Sequence, residues 1–157
     1  MSPSPAVAGT ALLLAALASG CAPSGGRAPA YHPRTRAFTI TAVPLLTREM
    51  QRIYPFLARD FGAGGVLEGK EVYAFEPSTI PAVAGDPRAL TLVNPEDDPH
   101  SFVLGDLAVA MPPQASVTAR YVTSRAGIFP FTCSVPTHLP FMYGTLVVLS
   151  PSQLGAE

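Results

Sequence analysis

Short apolar runs and clusters of turn-forming residues alternate along most of this chain. Between residues 38 and 43, Phe, Ile and Ala alternate with Thr, which predicts a half-buried strand. Further short strands are predicted after residue 71, and they cover residues 72–75, 89–94, 101–104, 116–123, 128–133 and 144–149. Evenly spaced short strands with Pro and Gly turns between them predict an all-β fold, a β-sandwich with Greek-key connections.

One segment near the N-terminal side has a helical pattern instead. Between residues 47 and 61, Thr47 is a candidate N-cap, and Pro55 is expected to kink or split the helix because it lacks a backbone N–H. The apolar positions of one predicted helical face are Met50, Ile53, Tyr54 and Leu57. The glycine-rich residues 62–65 mark the end of this helical insert.

The first twenty residues have the apolar character of a secretion signal. Residues 6–18 are almost all Ala, Leu and Val, and this run is too short to span a bilayer comfortably. The residues that end at Cys21 resemble a bacterial lipoprotein cleavage box, which predicts a signal peptide over residues 1–20 and a lipid on Cys21. Since the first nine residues contain no Lys or Arg, cleavage without a lipid and an uncleaved anchor are the alternatives.

Residues 21–36 are rich in Pro, Gly, Ala and Arg, which predicts a flexible linker before a single domain over residues 37–157. The linker contains His32, which we interpret as solvated. Hydrophobic residues make up 48% of the 157 residues and charged residues only 13%, so the chain can fill a sizeable core. We expect a monomer.

The charge distribution excludes one class of partner. The formal net charge is −1, and no basic patch indicates binding to nucleic acid. Glu96, Asp97 and Asp98 form an acidic run just before His100. We interpret this run as a solvated turn, with a docking or potential-tuning patch as the alternative.

The most informative residues are Cys133, His138 and Met142, which have C-x4-H-x3-M spacing. One turn with this spacing can place three ligands around one metal, and His100 is the best candidate for a fourth. One thiolate, two imidazoles and a weak axial thioether are the ligands of a mononuclear blue-copper site. Each residue alone would be weak support, and their value lies in occurring together.

Other interpretations of these residues remain. Cys133 could be a buried thiol, or it could form a disulfide with Cys21, although each cysteine has a better explanation in its own neighbourhood. A Cys-His-His set could also bind zinc. Catalytic zinc needs an open position, however, and the ligand loop is rich in apolar residues, namely Pro136, Leu139, Pro140 and Phe141.

The segments that carry these residues resemble the cupredoxin family of small type 1 blue-copper proteins. TCSVPTHLPFMYGTLVV (132–148) resembles the ligand loop and last strand, with the Cys-His-Met spacing of azurins and a PFM sequence similar to that of amicyanins. LTLVNPEDDPHSFVL (90–104) resembles the strand that carries the first histidine, and FEPSTIPAVAGD (75–86) resembles the opening strands. The resemblance covers roughly residues 38–150.

This resemblance implies a cupredoxin-like sandwich that holds one Cu(I)/Cu(II) ion. His100, Cys133 and His138 would be the equatorial ligands and Met142 the axial one. Asn94 and Ser101 would support the ligand loops. Ser101 stands where many members have Asn, and Pro99 where azurins have Gly. These two departures put in question a side-chain hydrogen bond to the thiolate and an azurin-type carbonyl ligand.

The resemblance also implies a route for electrons. The histidine of the ligand loop, His138 here, would reach the surface through the apolar residues Pro136, Leu139, Pro140 and Phe141, where redox partners would dock. The partners would be periplasmic or membrane-bound oxidases, reductases or cytochromes, and the lipid would hold the protein on the extracytoplasmic face of the membrane.

The favoured hypothesis is therefore an exported blue-copper electron carrier that is not itself an enzyme. A periplasmic copper-binding chaperone on the same fold is the alternative, and a non-redox assembly domain with a vestigial site is a third. Three histidines are too few for this chain alone to build the additional copper sites of multicopper oxidases or copper nitrite reductases. A dinuclear copper centre needs a second cysteine four residues after Cys133, where Thr137 stands.

Overall fold

A computed structural model describes residues 30–154, which form two packed β-sheets. The strands are β1 (Arg36–Leu46), β2 (Val72–Glu76), β3 (Thr79–Val83), β4 (Arg88–Asn94), β5 (His100–Leu104), β6 (Leu107–Met111), β7 (Ala115–Tyr121), β8 (Gly127–Thr132) and β9 (Tyr143–Leu149). One sheet has the order β2-β1-β4-β7 and the other β3-β9-β8-β5-β6. The predicted all-β Greek-key sandwich is confirmed.

The alternation of apolar side chains places the core between the two sheets. In β4 every second residue from Arg88 to Asn94 is buried, as expected for a strand with one face on the core. Three aromatic side chains pack at the centre of the core, with ring centroids 5.0 to 5.8 Å apart; they are Phe75, Phe102 and Phe131. Such edge-to-face and tilted contacts stabilise the core beyond the area they bury.

Antiparallel pairing brings three chain segments to one end of the second sheet. Val103 of β5 pairs with Thr132 of β8, so β5 begins where β8 ends. Thr132 in turn pairs with Tyr143, the first residue of β9. Because adjacent antiparallel strands run in opposite directions, the residues just outside these ends are neighbours in space. Residues 100, 133 and 142 all lie at this end.

The helical insert is shorter and more broken than the sequence pattern predicts. A 3-10 helix over Arg48–Arg52 is followed by an α-helix, α1, over Leu57–Phe61, and Pro55 lies in the break between them. The prediction of one apolar face is wrong for Ile53 and Tyr54, which are 72% and 50% exposed. The segment turns before a continuous helical face can form, because Pro55 interrupts the backbone hydrogen bonds.

The insert nevertheless has a small core of its own. Leu57, Phe61 and Leu67 are buried together, and Phe141 of the ligand loop packs against them. Thr47 precedes the 3-10 helix as predicted, but its side chain makes no capping hydrogen bond. The insert is thus joined by apolar contacts to the loop that carries the candidate ligands.

The seven strands predicted from the sequence are confirmed to within a few residues. The strands that the prediction lacks, β3 and β6, are the two edges of the second sheet. Within residues 30–154, no helix is long and apolar enough to cross a membrane. The predicted signal peptide, the lipidation site Cys21 and most of the predicted linker lie outside the described residues.

The described part of the predicted linker contacts the domain. The Tyr31 hydroxyl donates a hydrogen bond to Asp86 Oδ1 (2.6 Å), and the Arg34 backbone N–H donates to the same oxygen (3.0 Å). Arg36, the first residue of β1, forms a salt bridge from Nε to Asp86 Oδ2. Asp86 is fully buried by these contacts.

Candidate metal centre

His100, Cys133 and His138 come together in one buried cluster. Their exposed fractions are 3%, 0% and 3%, and one ligand atom of each lies within 4.8 Å of the others. The two histidine Nδ1 atoms are 3.1 Å apart, and His138 Nδ1 lies 3.7 Å from Cys133 Sγ. Among the described residues, this group of side chains could hold a metal ion.

Local backbone structure closes the ligand loop. Cys133 directly follows β8, and its N–H donates to the carbonyl oxygen of Met142 (3.0 Å). Residues 136–138 form one 3-10 turn that ends at His138. The Met142 N–H donates to the His138 carbonyl oxygen (3.2 Å). These bonds fold the sequence between Cys133 and Met142 into a compact turn, as their spacing predicts.

Met142, the predicted axial ligand, is held in the same turn as Cys133 and His138. It is 0% exposed and belongs to the main core, and it immediately precedes β9. Its backbone pairs with both Cys133 and His138, so the side chain is carried by the same closed turn. The role of its thioether as a ligand stays a prediction.

Ser101 makes two contacts with the cysteine sulfur. Its backbone N–H donates to Cys133 Sγ at 3.4 Å, and its hydroxyl lies 3.7 Å from the same atom. The hydroxyl oxygen also accepts a hydrogen bond from the Ser134 N–H (2.7 Å). These contacts join the strand β5 to the segment that follows β8. Serine thus provides a side-chain contact to the sulfur at the position where many cupredoxins have Asn.

Asn94 holds the turn that leads to His100. Its side-chain N–H₂ donates to the carbonyl oxygens of Asp98 (2.8 Å) and Met111 (3.0 Å), and its Oδ1 accepts from the Glu96 N–H (3.1 Å). Asn94 is 1% exposed, so these bonds satisfy a buried amide. The predicted supporting residue therefore fixes a turn and does not itself touch the cysteine in the contacts observed.

Tyr73 is a site residue that the sequence analysis missed. Its ring centroid lies 4.6 Å from that of His100 and 4.6 Å from that of His138. The hydroxyl donates to Asp98 Oδ2 (2.6 Å) and lies 3.3 Å from Glu71 Oε2. Burial, together with the hydrogen bond to Asp98, raises the pKa of Tyr73 well above its usual value, so the phenol stays protonated at neutral pH.

Burial affects the pKa of both histidines. Burial and, to a smaller extent, the proximity of His138 lower the pKa of His100 to about 4, while Asp98 opposes these effects. Burial also lowers the pKa of His138, again opposed by Asp98. Neutral imidazole is the form that coordinates a metal. Both shifts thus favour the form of the rings that binds a metal.

The predicted apolar docking residues differ in their exposure to solvent. Pro136, Leu139 and Pro140 are exposed, and Leu139 is 41% exposed, whereas Phe141 is half-buried against the insert. His138 is 3% exposed, so its ring lies beneath this patch and not at the surface.

A polar pocket adjoins His138 on the side of the insert. The pocket has a volume of about 320 Å³, and carboxylates dominate its charged lining. These are Glu49, Glu71, Asp97 and Asp98, with Arg48 as the basic residue. The nearby Glu96 carboxyl has a raised pKa because of burial and of the surrounding carboxylates Asp97, Asp98 and Glu49. The acidic run before His100 is thus part of a pocket wall and also supplies the acceptor for Tyr73.

The donor set fits copper better than an open zinc site. A thiolate and two imidazoles converge in a buried space, and a methionine is carried by the same turn. Soft thiolate and thioether ligands bind copper well, imidazole binds both copper oxidation states, and this combination is typical of blue-copper sites. The near-zero exposure of all three clustered side chains is unlike the water-accessible position that catalytic zinc requires.

Comparison with known proteins identifies the fold. No protein-family model matches the sequence, and no curated protein matches it. A solved copper nitrite reductase from Nitrosomonas europaea aligns with 76% of this chain and 43% of its own, at a TM-score of 0.54 and 17% identity. A multi-copper oxidase from Pseudomonas thermotolerans aligns with 76% of this chain and 30% of its own, at a TM-score of 0.53 and 13% identity.

A smaller solved protein gives a weaker alignment. Auracyanin A, a blue copper protein from Chloroflexus aurantiacus, aligns with 73% of this chain and 99% of its own, at a TM-score of 0.48 and 16% identity. This chain spans less than half the length of the two copper enzymes.

The molecule is a β-sandwich with the cupredoxin fold. The fold predicted from the motif resemblance is confirmed, and the buried His100–Cys133–His138 cluster fits a type 1 site.

Proposed function

We propose that this protein is an electron carrier that moves single electrons through a mononuclear type 1 copper site. The observation that carries the proposal is the convergence of His100 Nδ1, His138 Nδ1 and Cys133 Sγ in a buried space. Copper, when bound there, supplies a one-electron couple between Cu(I) and Cu(II). His100, His138 and Cys133 would be its equatorial ligands and Met142 its axial ligand.

The surrounding residues favour fast electron exchange over catalysis. The bonds between Cys133 and Met142 and between Met142 and His138 restrict movement of the loop. Ser101 contacts the Cys133 sulfur through its backbone N–H, and Asn94 fixes the turn before His100. A site that changes shape little between oxidation states transfers electrons quickly. We therefore infer that the domain is not an enzyme in its own right.

Electron exchange would pass through the ligand His138. The exposed residues Pro136, Leu139 and Pro140 lie in the same loop and would contact a redox partner. Such partners would be oxidases, reductases or cytochromes in the periplasm or at the membrane. The apolar segment before Cys21 supports an exported protein with a lipid anchor at that residue.

The first experiment is a visible spectrum of residues 22–157 after addition of Cu(II). We expect an intense blue thiolate-to-copper band that bleaches with ascorbate and returns on oxidation. Cys133→Ser is the control and should abolish the band. A colourless protein, or one that binds only zinc, would remove the electron-carrier proposal and favour a structural or metal-handling role.

A second measurement separates the carrier from a copper chaperone. A chaperone must release copper to an acceptor, whereas a carrier retains it through many redox cycles. The burial of the three clustered ligands favours retention. The copper-loaded protein is first reduced with ascorbate, then mixed with a Cu(I) acceptor and reoxidised. A blue band that fails to return would favour the chaperone, and a band that returns in full would favour the carrier.

A further inference from the structure

Tyr73 contacts both candidate histidine ligands from one side. Its ring meets His100 edge-on, with an interplanar angle of 71°, and meets His138 at 54°. The ring is 2% exposed and is carried by β2, in the other sheet from the ligand-bearing strands. Aromatic pairs at this separation favour such tilted and edge-to-face arrangements. The Tyr73 ring therefore limits rotation of both imidazoles.

The hydroxyl of Tyr73 is also held in place, by hydrogen bonds to carboxylates. It donates a 2.6 Å hydrogen bond to Asp98 Oδ2, and Glu71 Oε2 lies 3.3 Å away. Asp98 precedes His100 by two residues, and its carbonyl oxygen accepts from Asn94. A hydrogen bond to a charged carboxylate is shorter and stronger than one between neutral groups. Tyr73 thus links the strand β2 to the turn that delivers His100.

We propose that Tyr73 is a positioning residue that fixes the ring orientations of His100 and His138. The ring acts on both imidazoles, and the hydroxyl acts on His100 through Asp98. This inference rests on the proposed function and extends it to a residue that carries no ligand atom. Residues that orient metal ligands contribute roughly 10-fold to 100-fold to metal affinity.

The test uses two variants of Tyr73 and a matched control. Tyr73→Leu removes the ring contacts, and Tyr73→Phe keeps the ring but removes the hydroxyl contacts with Asp98 and Glu71. Phe75→Leu is the control, because Phe75 lies two residues along the same strand, is 0% exposed and contacts Phe102 and Phe131 instead of the histidines. The control therefore reports the effect of losing a buried ring without losing contacts to the ligands.

The first readout is the mobility of the histidine rings in the metal-free protein, measured by NMR relaxation of the ring carbons. Tyr73→Leu is expected to increase the mobility of both rings. Tyr73→Phe is expected to affect His100 more than His138, because Asp98 belongs to the turn before His100. Phe75→Leu is expected to change neither ring. Histidine rings as ordered in Tyr73→Leu as in the unmodified protein would overturn the proposal.

The second readout is Cu(II) affinity together with the reduction potential. Tyr73→Leu is expected to weaken Cu(II) binding roughly 10-fold or more and to shift the potential, with a smaller loss in Tyr73→Phe. Phe75→Leu should retain both values even where its thermal stability falls. Equal losses of affinity in Tyr73→Leu and Phe75→Leu would assign the effect to general destabilisation and overturn the proposal.

The two readouts distinguish this proposal from the proposed function. Mobile rings in Tyr73→Leu, with no blue band in the unmodified protein, would reject the electron-carrier function and support the positioning role. A reversible blue band in the unmodified protein, with unchanged rings and potential in Tyr73→Leu, would reject the positioning role alone.

Discussion

Each candidate ligand is fixed by contacts from residues that have no ligand atom of their own. Ser101 reaches the sulfur of Cys133 through its backbone N–H and its hydroxyl. Asn94 and Tyr73 both donate hydrogen bonds to Asp98 in the turn before His100. Because the orientation of a ligand depends on such partners, the properties of this site are set by more residues than the proposed ligands.

At the residue scale, we predict that Met142→Leu retains copper and raises the reduction potential. The substitution keeps the side-chain volume in the core but removes a weak donor that stabilises Cu(II). A rise on the order of 60 mV corresponds to a tenfold change in the relative affinity for the two oxidation states of a one-electron couple. Potentiometric titration of the blue band measures it.

The control for this prediction is Met111→Leu. Met111 is also buried, at 1% exposed, and its backbone pairs with that of His100 across the sheet, but its side chain belongs to the main core. We expect the reduction potential of Met111→Leu to match that of the unmodified protein. A lowered or unchanged potential in Met142→Leu would contradict the axial role of Met142.

The sequence predicted the clustered side chains but not all of their supporting contacts. The C-x4-H-x3-M spacing was informative because one closed turn brings Cys133, His138 and Met142 together. Tyr73 had no such signal, since its contacts depend on how the two sheets pack. The side-chain contact of Ser101 with the sulfur likewise depends on the positions of β5 and β8 and on Ser134.

At the scale of elements, the two strands that the sequence prediction missed both lie at sheet edges but were missed for different reasons. Both β3 and β6 are edge strands. Pro81 lies within β3, and a proline ordinarily argues against a strand unless the strand is at an edge. All five residues of β6, Leu107–Met111, are apolar, so no polar alternation marks the strand. Periodicity therefore missed these two edge strands, although it detected β2 and β7, which are the edges of the first sheet.

We predict that Gly144→Ala destabilises the start of β9. A Cβ at residue 144 would overlap the Phe131 ring and lie 2.6 Å from the carbonyl oxygen of Ser78. Overpacking of a well-filled core typically costs about 1–3 kcal/mol. Urea unfolding at equilibrium measures the loss in the free energy of unfolding.

A double variant identifies the source of this cost. If the Phe131 ring is responsible, Gly144→Ala combined with Phe131→Leu should lose less free energy than the sum of the two single losses, since residues in contact are not additive. A free energy of unfolding for Gly144→Ala within about 0.5 kcal/mol of the unmodified protein would contradict the prediction, because that range is usual for surface substitutions.

At the scale of the whole molecule, the end of the sandwich opposite the metal centre is closed by Asp86. Burial alone would raise the pKa of the Asp86 carboxyl, but hydrogen bonds from Tyr31, Arg36 and the Arg34 N–H lower it below its ordinary value. A carboxyl with a depressed pKa stabilises the folded state above its unfolded pKa of about 3.9. This contribution is lost as the pH falls through the lower, folded value.

We predict that Asp86→Asn lowers the stability at pH 7 by on the order of 1 kcal/mol, a value reduced for the partial exposure of Arg36. The variant should also lose less stability than the unmodified protein between pH 5 and the acid limit, because its amide does not titrate. Urea unfolding at a series of pH values measures both effects.

The control for the pH prediction is Asp106→Asn, which changes an exposed aspartate between β5 and β6. Its stability should follow that of the unmodified protein at every pH. Parallel pH curves for Asp86→Asn and the unmodified protein would contradict the role assigned to Asp86.

The contacts at Asp86 also determine where the predicted linker joins the domain. Asp86 lies just before β4, and Asn94, at the other end of this strand, supports the turn to His100, about 20 Å away at 3.3 Å per residue. With the proposed lipid on Cys21, the residues between the lipid and Tyr31 would join the domain at its end remote from copper. The ligand loop would then lie at the opposite end of the domain from this attachment, so the linker would leave the proposed docking surface uncovered.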